Sequence, residues 1–159
     1  MQSRLEADKI APEAYKAVLQ VQAYLNHRSG LDRSLLNLIY LRASQINGCA
    51  YCIDMHSKDA RALGETEQRL YELNAWRETP FYTERERAAL AWTEAVTLVS
   101  EGHVPDEVYE EARKHFKDEE LVNLTLAIAQ INVWNRLAIS FRAVPGTYQP
   151  NAQQLKKSA

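Results

Sequence analysis

The sequence predicts an all-α fold, a single-domain bundle of about seven helices. Three observations predict it. Glycine and proline number only five each in 159 residues, and most of them sit between stretches with apolar residues at helical spacing. No stretch alternates apolar and polar residues for long enough to make a strand. Capping residues mark several of the segment starts. There is no internal repeat and no low-complexity region.

Each element follows from local chemistry. Pro12 opens a first helix running to about His27, with Ala14, Val18, Val21 and Leu25 near helical period. Arg28-Ser29-Gly30 ends it. Asp32 caps a second helix in which Leu35, Leu36, Leu38, Ile39 and Leu41 are apolar, and Asn47-Gly48 stops it. A third helix starts at the cysteine pair, runs to about Leu63 and is closed by Gly64. Thr66-Glu67-Gln68-Arg69 starts a short helix ending near Ala75, after which Pro80 breaks the pattern. Thr83-Glu84-Arg85-Glu86 has the form of a capping box and leads a long helix to about Ser100. Gly102 and Pro105 separate it from a helix over Asp106 to Phe116. The last helix, about Asp118 to Phe141, is apolar on most sides and is expected to be the central core helix. Pro145-Gly146 ends regular structure, so the helical domain is expected over residues 1–146, with 147–159 a polar tail.

Bulk properties narrow the function classes. A chain of 159 residues suggests one domain and can bury a core without disulfide staples. The formal net charge of -2 gives no basic field for nucleic acid, and Lys156-Lys157 is too short for a polybasic arm. The uncharged stretch from Leu121 to Asn135 is 15 residues long and contains Asn123, Thr125, Gln130 and Asn132, too short and too polar to span a bilayer. No leader-like segment is visible, and two cysteines in such a chain point to a reducing, cytoplasmic setting.

The chemistry concentrates in Gly48-Cys49-Ala50-Tyr51-Cys52-Ile53-Asp54-Met55-His56, which holds both cysteines. On a helix Cys49, Cys52 and His56 share a face. A helix start stabilises a thiolate, and His56 is placed to exchange a proton with Cys52. The constellation reads as a redox dithiol with a built-in base. A thiolate would cleave a peroxide O–O bond to give a sulfenic acid, and the second thiol would condense with it to a disulfide that an external dithiol reduces. Three blander readings compete. A closed zinc site needs four ligands, and beyond His56 only the distant His103 or His115 is on offer. A disulfide closing so short a loop adds little stability. Inert buried thiols are the third. No metal and no organic cofactor is expected.

Other residues carry weaker signals. Trp134-Asn135-Arg136 is unusual in an apolar helix and reads either as structural hydrogen bonding or as part of the site. Tyr51 either donates to the site or packs. His27, His103 and His115 read as solvated, Glu84-Arg85-Glu86-Arg87 as a solvated first turn, and Lys58 and Arg61 as surface residues.

The run Leu41 to His56 closely resembles the core motif of the AhpD-like alkylhydroperoxidases, which belong to the carboxymuconolactone decarboxylase superfamily. The likeness continues through Glu84–Ala95 and Ile131–Ala138, so it covers roughly residues 10 to 143. It implies an all-helical fold assembling as trimers or hexamers, with peroxidase chemistry on hydrogen or alkyl peroxides. By position it implies that Cys52 is the peroxidatic cysteine, Cys49 the resolving one and His56 part of a proton relay. The implied electron donor is a dithiol, such as a lipoyl carrier or a thioredoxin-like protein. Two positions depart from the family pattern: Asn37 stands where a glutamate is common, and Tyr51 where the well-known branch has histidine. Neither asparagine nor tyrosine exchanges protons readily at neutral pH, so slow peroxide turnover is expected. Two other functions remain open, decarboxylase or lactone chemistry in an apolar pocket and a non-enzymatic thiol redox sensor. An apolar fraction of 46% supports the oligomer.

Overall fold

The computed structural model describes residues 2–151; Met1 and residues 152–159, with the tail lysines, lie outside the described residues. Among the described residues every regular element is helical. Nine α-helices, α1 Ala7–Ile10, α2 Pro12–Arg28, α3 Arg33–Asn47, α4 Ala50–Ala62, α5 Glu67–Tyr71, α6 Glu84–Thr97, α7 Val99–Gly102, α8 Asp106–His115 and α9 Asp118–Phe141, are joined by one 3₁₀ segment, Leu73–Glu78, between α5 and α6. The all-α expectation stands, with more and shorter pieces than the seven helices expected. The expected helix from Thr66 to Ala75 is split at Glu72, which leaves helical geometry at φ -96 and ψ 5, and the 3₁₀ segment that follows kinks again at Ala75. The long helix expected to Ser100 ends at Thr97, and a separate turn follows a kink at Leu98. The single turn α1 is too short to leave a periodic signal.

Caps explain several boundaries. Thr83 and Glu86 form the expected capping box, with the Glu86 carboxylate accepting the Thr83 N–H at 2.8 Å. Asp32 occupies the cap position of α3, but its side chain makes no cap hydrogen bond. Gly48 ends α3 at φ 66, a conformation that favours glycine. There the Gly48 N–H donates to Gln45 O at 3.2 Å and the Cys49 N–H to Ser44 O at 2.9 Å, the paired bonds of a Schellman stop. Cys49 is therefore both the last tether of α3 and the cap residue of α4. A turn this tight folds α4 back antiparallel on α3.

That hairpin is the centre of the molecule. Helix α3 packs on α4, α6 and α9, and its seven consecutive residues Leu35–Leu41 are all buried. Leu36, Ile39 and Ala43 join a core with α2, α6, α8 and α9, while Leu38 and Leu41 join a second core with Leu73, Trp76 and Leu90. The core role expected for α9 is thus shared. Helix α9 buries Leu124, Ala127, Ile128 and Ile131, but Val122, Leu126, Val133 and Ile139 face outward. Among the described residues no helix is long and apolar enough to cross a membrane.

Half-buried charges brace the frame. Glu94 accepts from Arg42 Nε and Trp76 Nε1, each at 2.8 Å, and also pairs with Arg77, tying α3 and the 3₁₀ segment to α6. The run expected to be a solvated first turn does more than that. Glu86 pairs with Arg69, Arg85 pairs with Glu120 at 2.7 Å, and Arg87 donates to Trp76 O and Thr79 O. Pairing drew these charges inward because each found a partner on a neighbouring element.

Candidate active site

The Schellman stop dictates where the sulfurs lie. Cys49 caps α4 and Cys52 is in its first turn, so the sulfurs face each other, 2.6 Å apart, as free thiols. Both residues are buried at 1% exposure. Their protonation is shared. A hydrogen bond from Cys52 outweighs burial and pulls the Cys49 thiol down to about 7, helped by Asn135 and by the first-turn amides of Cys52 and Tyr51. The second ionisation is pushed well up, by the hydrogen bond to Cys49, by burial and by the charge already on its neighbour, against help from Asn135 and Ser44. The pair therefore loses one proton near neutrality and keeps the other between the two sulfurs.

A chain of hydrogen bonds holds the groups around the sulfurs. Asn135, fully buried, donates to Ser44 Oγ at 3.0 Å and accepts from Asn47 Nδ2 at 2.8 Å. Ser44 Oγ donates to Tyr40 O at 2.7 Å, and Asn47 also reaches Asn132. A side chain fixed on both sides can meet charge on sulfur without reorganising.

Beyond Cys52 opens a cavity of about 510 Å³ between α2, α3, α4 and α9. Cys52 lines it together with Asn37, Tyr40, Tyr51, Met55, His56 and Trp134. Two helix stripes make its polar wall: Arg33, Asn37 and Tyr40 on α3 face Cys52, His56 and Asp59 on α4. Leu19, Leu137 and Phe141 add apolar surface. Tyr148 closes one end, donating to Asp59 Oδ1 at 2.6 Å, and the Gly146 N–H donates to Asp54 at 3.0 Å. Lys58 also belongs to this strap, bonding Asp54 at 2.9 Å and Tyr148 O at 3.0 Å.

The residues singled out in the sequence divide as follows. His56 reaches the cavity, but its ring lies against Tyr40, centroids 5.1 Å apart, rather than on a sulfur, and neither ring nitrogen has a partner. Burial, reinforced by the Arg33 charge, pushes its pKa down to about 3, so the imidazole is neutral at pH 7. Asn37 is 2% exposed, with Nδ2 unpaired. Tyr51 is half-buried at the cavity wall, and burial, then the charges of Cys52, Asp54 and Cys49, raise its pKa. Trp134 packs on Tyr15 at 4.8 Å and donates to Gln22 Oε1 at 3.1 Å, while Arg136 turns away to Asn132. Sequence reasoning missed Arg33, Tyr40, Ser44, Asp59 and Tyr148. A signal existed for three of them: Arg33, Tyr40 and Ser44 recur with Asn37 at helical spacing along one face of α3. Among the described residues no group of three or more His, Cys, Asp or Glu is placed to hold a metal ion.

Comparison with known proteins agrees with this architecture. The model of the carboxymuconolactone decarboxylase family matches residues 12–95. The uncharacterized protein YdfG of Bacillus subtilis is 47% identical over 140 residues, 88% of this chain and 95% of that one. A crystal structure from Agrobacterium tumefaciens, of a protein of unknown function provisionally described as the antioxidant defence protein AhpD, superposes with a TM-score of 0.89 at 47% identity, covering 92% of this chain and all of that one. An uncharacterized peroxidase-related protein from Silicibacter gives a TM-score of 0.75 at 25% identity, over 85% of this chain and 71% of that one. With a matching family model, a relative aligned almost end to end and a helical frame of the same shape, the chain belongs to the carboxymuconolactone decarboxylase family, as an AhpD-like member.

Proposed function

We propose that the protein is a thiol peroxidase that reduces hydrogen peroxide or alkyl hydroperoxides, with Cys52 attacking and Cys49 resolving. One observation carries the reading: two free sulfurs 2.6 Å apart at a helix start, of which Cys52 lines the cavity. Loss of one proton near neutrality leaves a charge that either sulfur can hold, and access selects Cys52 to use it. The thiolate attacks the outer peroxide oxygen, the O–O bond breaks, and Cys52 becomes a sulfenic acid while the alkoxide leaves. The alkoxide takes a proton from solvent through cavity water, with neutral His56 as relay, since one ring nitrogen donates and the other accepts. Cys49 then attacks the sulfenic sulfur, its proton leaves with the hydroxide as water, and a Cys49–Cys52 disulfide forms. An external dithiol, a lipoyl carrier or thioredoxin-like protein, reduces it. The outward apolar residues of α9 support association into trimers or hexamers.

A redox sensor is the second reading, favoured by Asn37, which cannot carry the proton a glutamate would. Single-turnover oxidation with one equivalent of hydrogen peroxide tests the first step. The expected result is loss of both titratable thiols and of two hydrogens in intact mass, abolished as a disulfide by Cys52→Ser. Two thiols still titratable in the folded protein would defeat the redox reading. Steady turnover with a dithiol then separates peroxidase from sensor, and activity persisting in Cys52→Ser would point to decarboxylase-type acid–base chemistry instead.

A further inference from the structure

Buried polar atoms are almost always paired, so unpaired ones mark places where something else is bound. Among the described residues seven buried side-chain nitrogens and oxygens lack a partner, and six of them belong to Arg33, Asn37, Tyr40 and His56. All four residues line the same cavity. Arg33 contributes two of these atoms, Nε and Nη1, and its charge is felt by His56, Asp59 and Tyr148 without an ion pair forming. Three carboxyls line the cavity with it, and Arg33 pairs with none of them: Asp59 is engaged by Tyr148 at 2.6 Å, Glu6 pairs with Lys9, and Asp8 is the third. The Arg33 guanidinium thus stands in the cavity wall with unpaired N–H groups and no ion pair, while Leu19, Met55, Leu137 and Phe141 give the cavity apolar length.

We propose that this cavity takes an organic hydroperoxide that also bears a carboxylate, with the acid group on Arg33 and the peroxide at Cys52. This rests on the thiol-peroxidase reading and names its substrate class. A carboxylate suits a single guanidinium, which presents its N–H groups in a planar fork; a phosphate would call for further cations. The polar stripe of α4 sets the spacing. Asp59, beside the Arg33 end, lies seven residues beyond Cys52, or about 10 Å at 1.5 Å per residue. An extended chain of about eight carbons spans such a gap. The redox step is the one already described: Cys52 takes the outer oxygen, the hydroxy acid leaves, and water is released as the disulfide closes.

The test compares 8-hydroperoxyoctanoic acid with its methyl ester in single-turnover oxidation of the reduced protein, with hydrogen peroxide alongside. The wild-type protein is expected to react with the acid at least about tenfold faster than with the ester at low concentration, the scale of a charge-assisted hydrogen bond. Arg33→Gln is expected to bring that ratio near one, and Arg33→Lys to restore it in part, since it keeps the charge but not the fork. Equal rates for acid and ester in the wild type, or a preference that survives in Arg33→Gln, would overturn the proposal. Binding of octanoate against methyl octanoate to the reduced wild-type protein, followed by calorimetry, needs neither a variant nor peroxide chemistry. Selective octanoate binding with no oxidation by any peroxide would sink the peroxidase reading and leave the acid site standing. Oxidation by hydrogen peroxide without octanoate selectivity would do the reverse.

Discussion

The two sulfurs behave as one acid. Because the first proton is lost near 7 and the second is held strongly, thiol reactivity should follow a single ionisation across neutral pH. The rate of alkylation of the reduced protein by iodoacetamide is expected to rise with pH to a midpoint near 7, where an isolated thiol would titrate higher. Asn135→Ala removes a donor that favours the thiolate on both sulfurs, so its midpoint should move up and its oxidation by peroxide should slow. The same change leaves Asn47 with Asn132 as its one remaining acceptor and removes the donor to Ser44 Oγ, and it should cost about 1–3 kcal/mol of stability. An unshifted midpoint in that variant would remove Asn135 from the site. This residue was visible in the sequence only as an oddity in an apolar helix. Its role depends on Ser44 and Asn47, which are 91 and 88 positions away and meet it only in the folded chain.

At the scale of elements, the junction of α3 and α4 matters most. Gly48 adopts φ 66, and a Cβ placed there would meet nothing within 4 Å, so the cost of a side chain is backbone strain and not collision. Gly48→Ala is expected to cost about 1–2 kcal/mol, from the left-handed conformation of an L-residue, and to be read as a lowered urea midpoint with unchanged slope. Because Cys49 follows directly, the variant should also slow disulfide formation; a variant as stable and as fast as the parent would show that the Schellman stop does not align the sulfurs. Helix positions of this kind were legible in the sequence, since Asn47-Gly48 and the Thr83 box act through neighbours. The split after α5 and the kink at Leu98 were not, because no glycine or proline marks them.

Across the whole molecule, stability is linked to pH through the cavity wall. His56 is held neutral by burial first and by Arg33 second, with its pKa moved from 6.5 to about 3. Above 6.5 neither folded nor unfolded chain protonates it, so its burial carries no penalty there. As pH falls from 6.5 toward 3 the unfolded chain takes up a proton that the folded one refuses, and stability drops by up to about 1.4 kcal/mol per pH unit. Asp59 acts oppositely: burial raises its pKa, so it favours the folded state at low pH and loses that contribution as pH rises. Denaturant unfolding at a series of pH values should therefore show a steeper loss on acidification for the parent than for His56→Gln. Parallel profiles would mean that His56 is solvated in the native state.

By itself the sequence determined the all-helical class, most helix starts and the candidate dithiol segment, because periodicity, caps and a Cys-x-x-Cys spacing are local properties of consecutive residues. Cys49, Cys52 and His56 fall within eight positions, close enough to be read as a unit. Only the tertiary structure decided what faces that unit. The turn at Gly48 brings the polar stripe of α3 against α4, places Asn135 of α9 at the sulfurs and lays Tyr148 across Asp59. It also turned the His56 ring toward Tyr40, although helical spacing alone points it at Cys52. Side-chain direction, burial and unpaired charge arise from packing between segments far apart in the chain, and a linear pattern does not carry them.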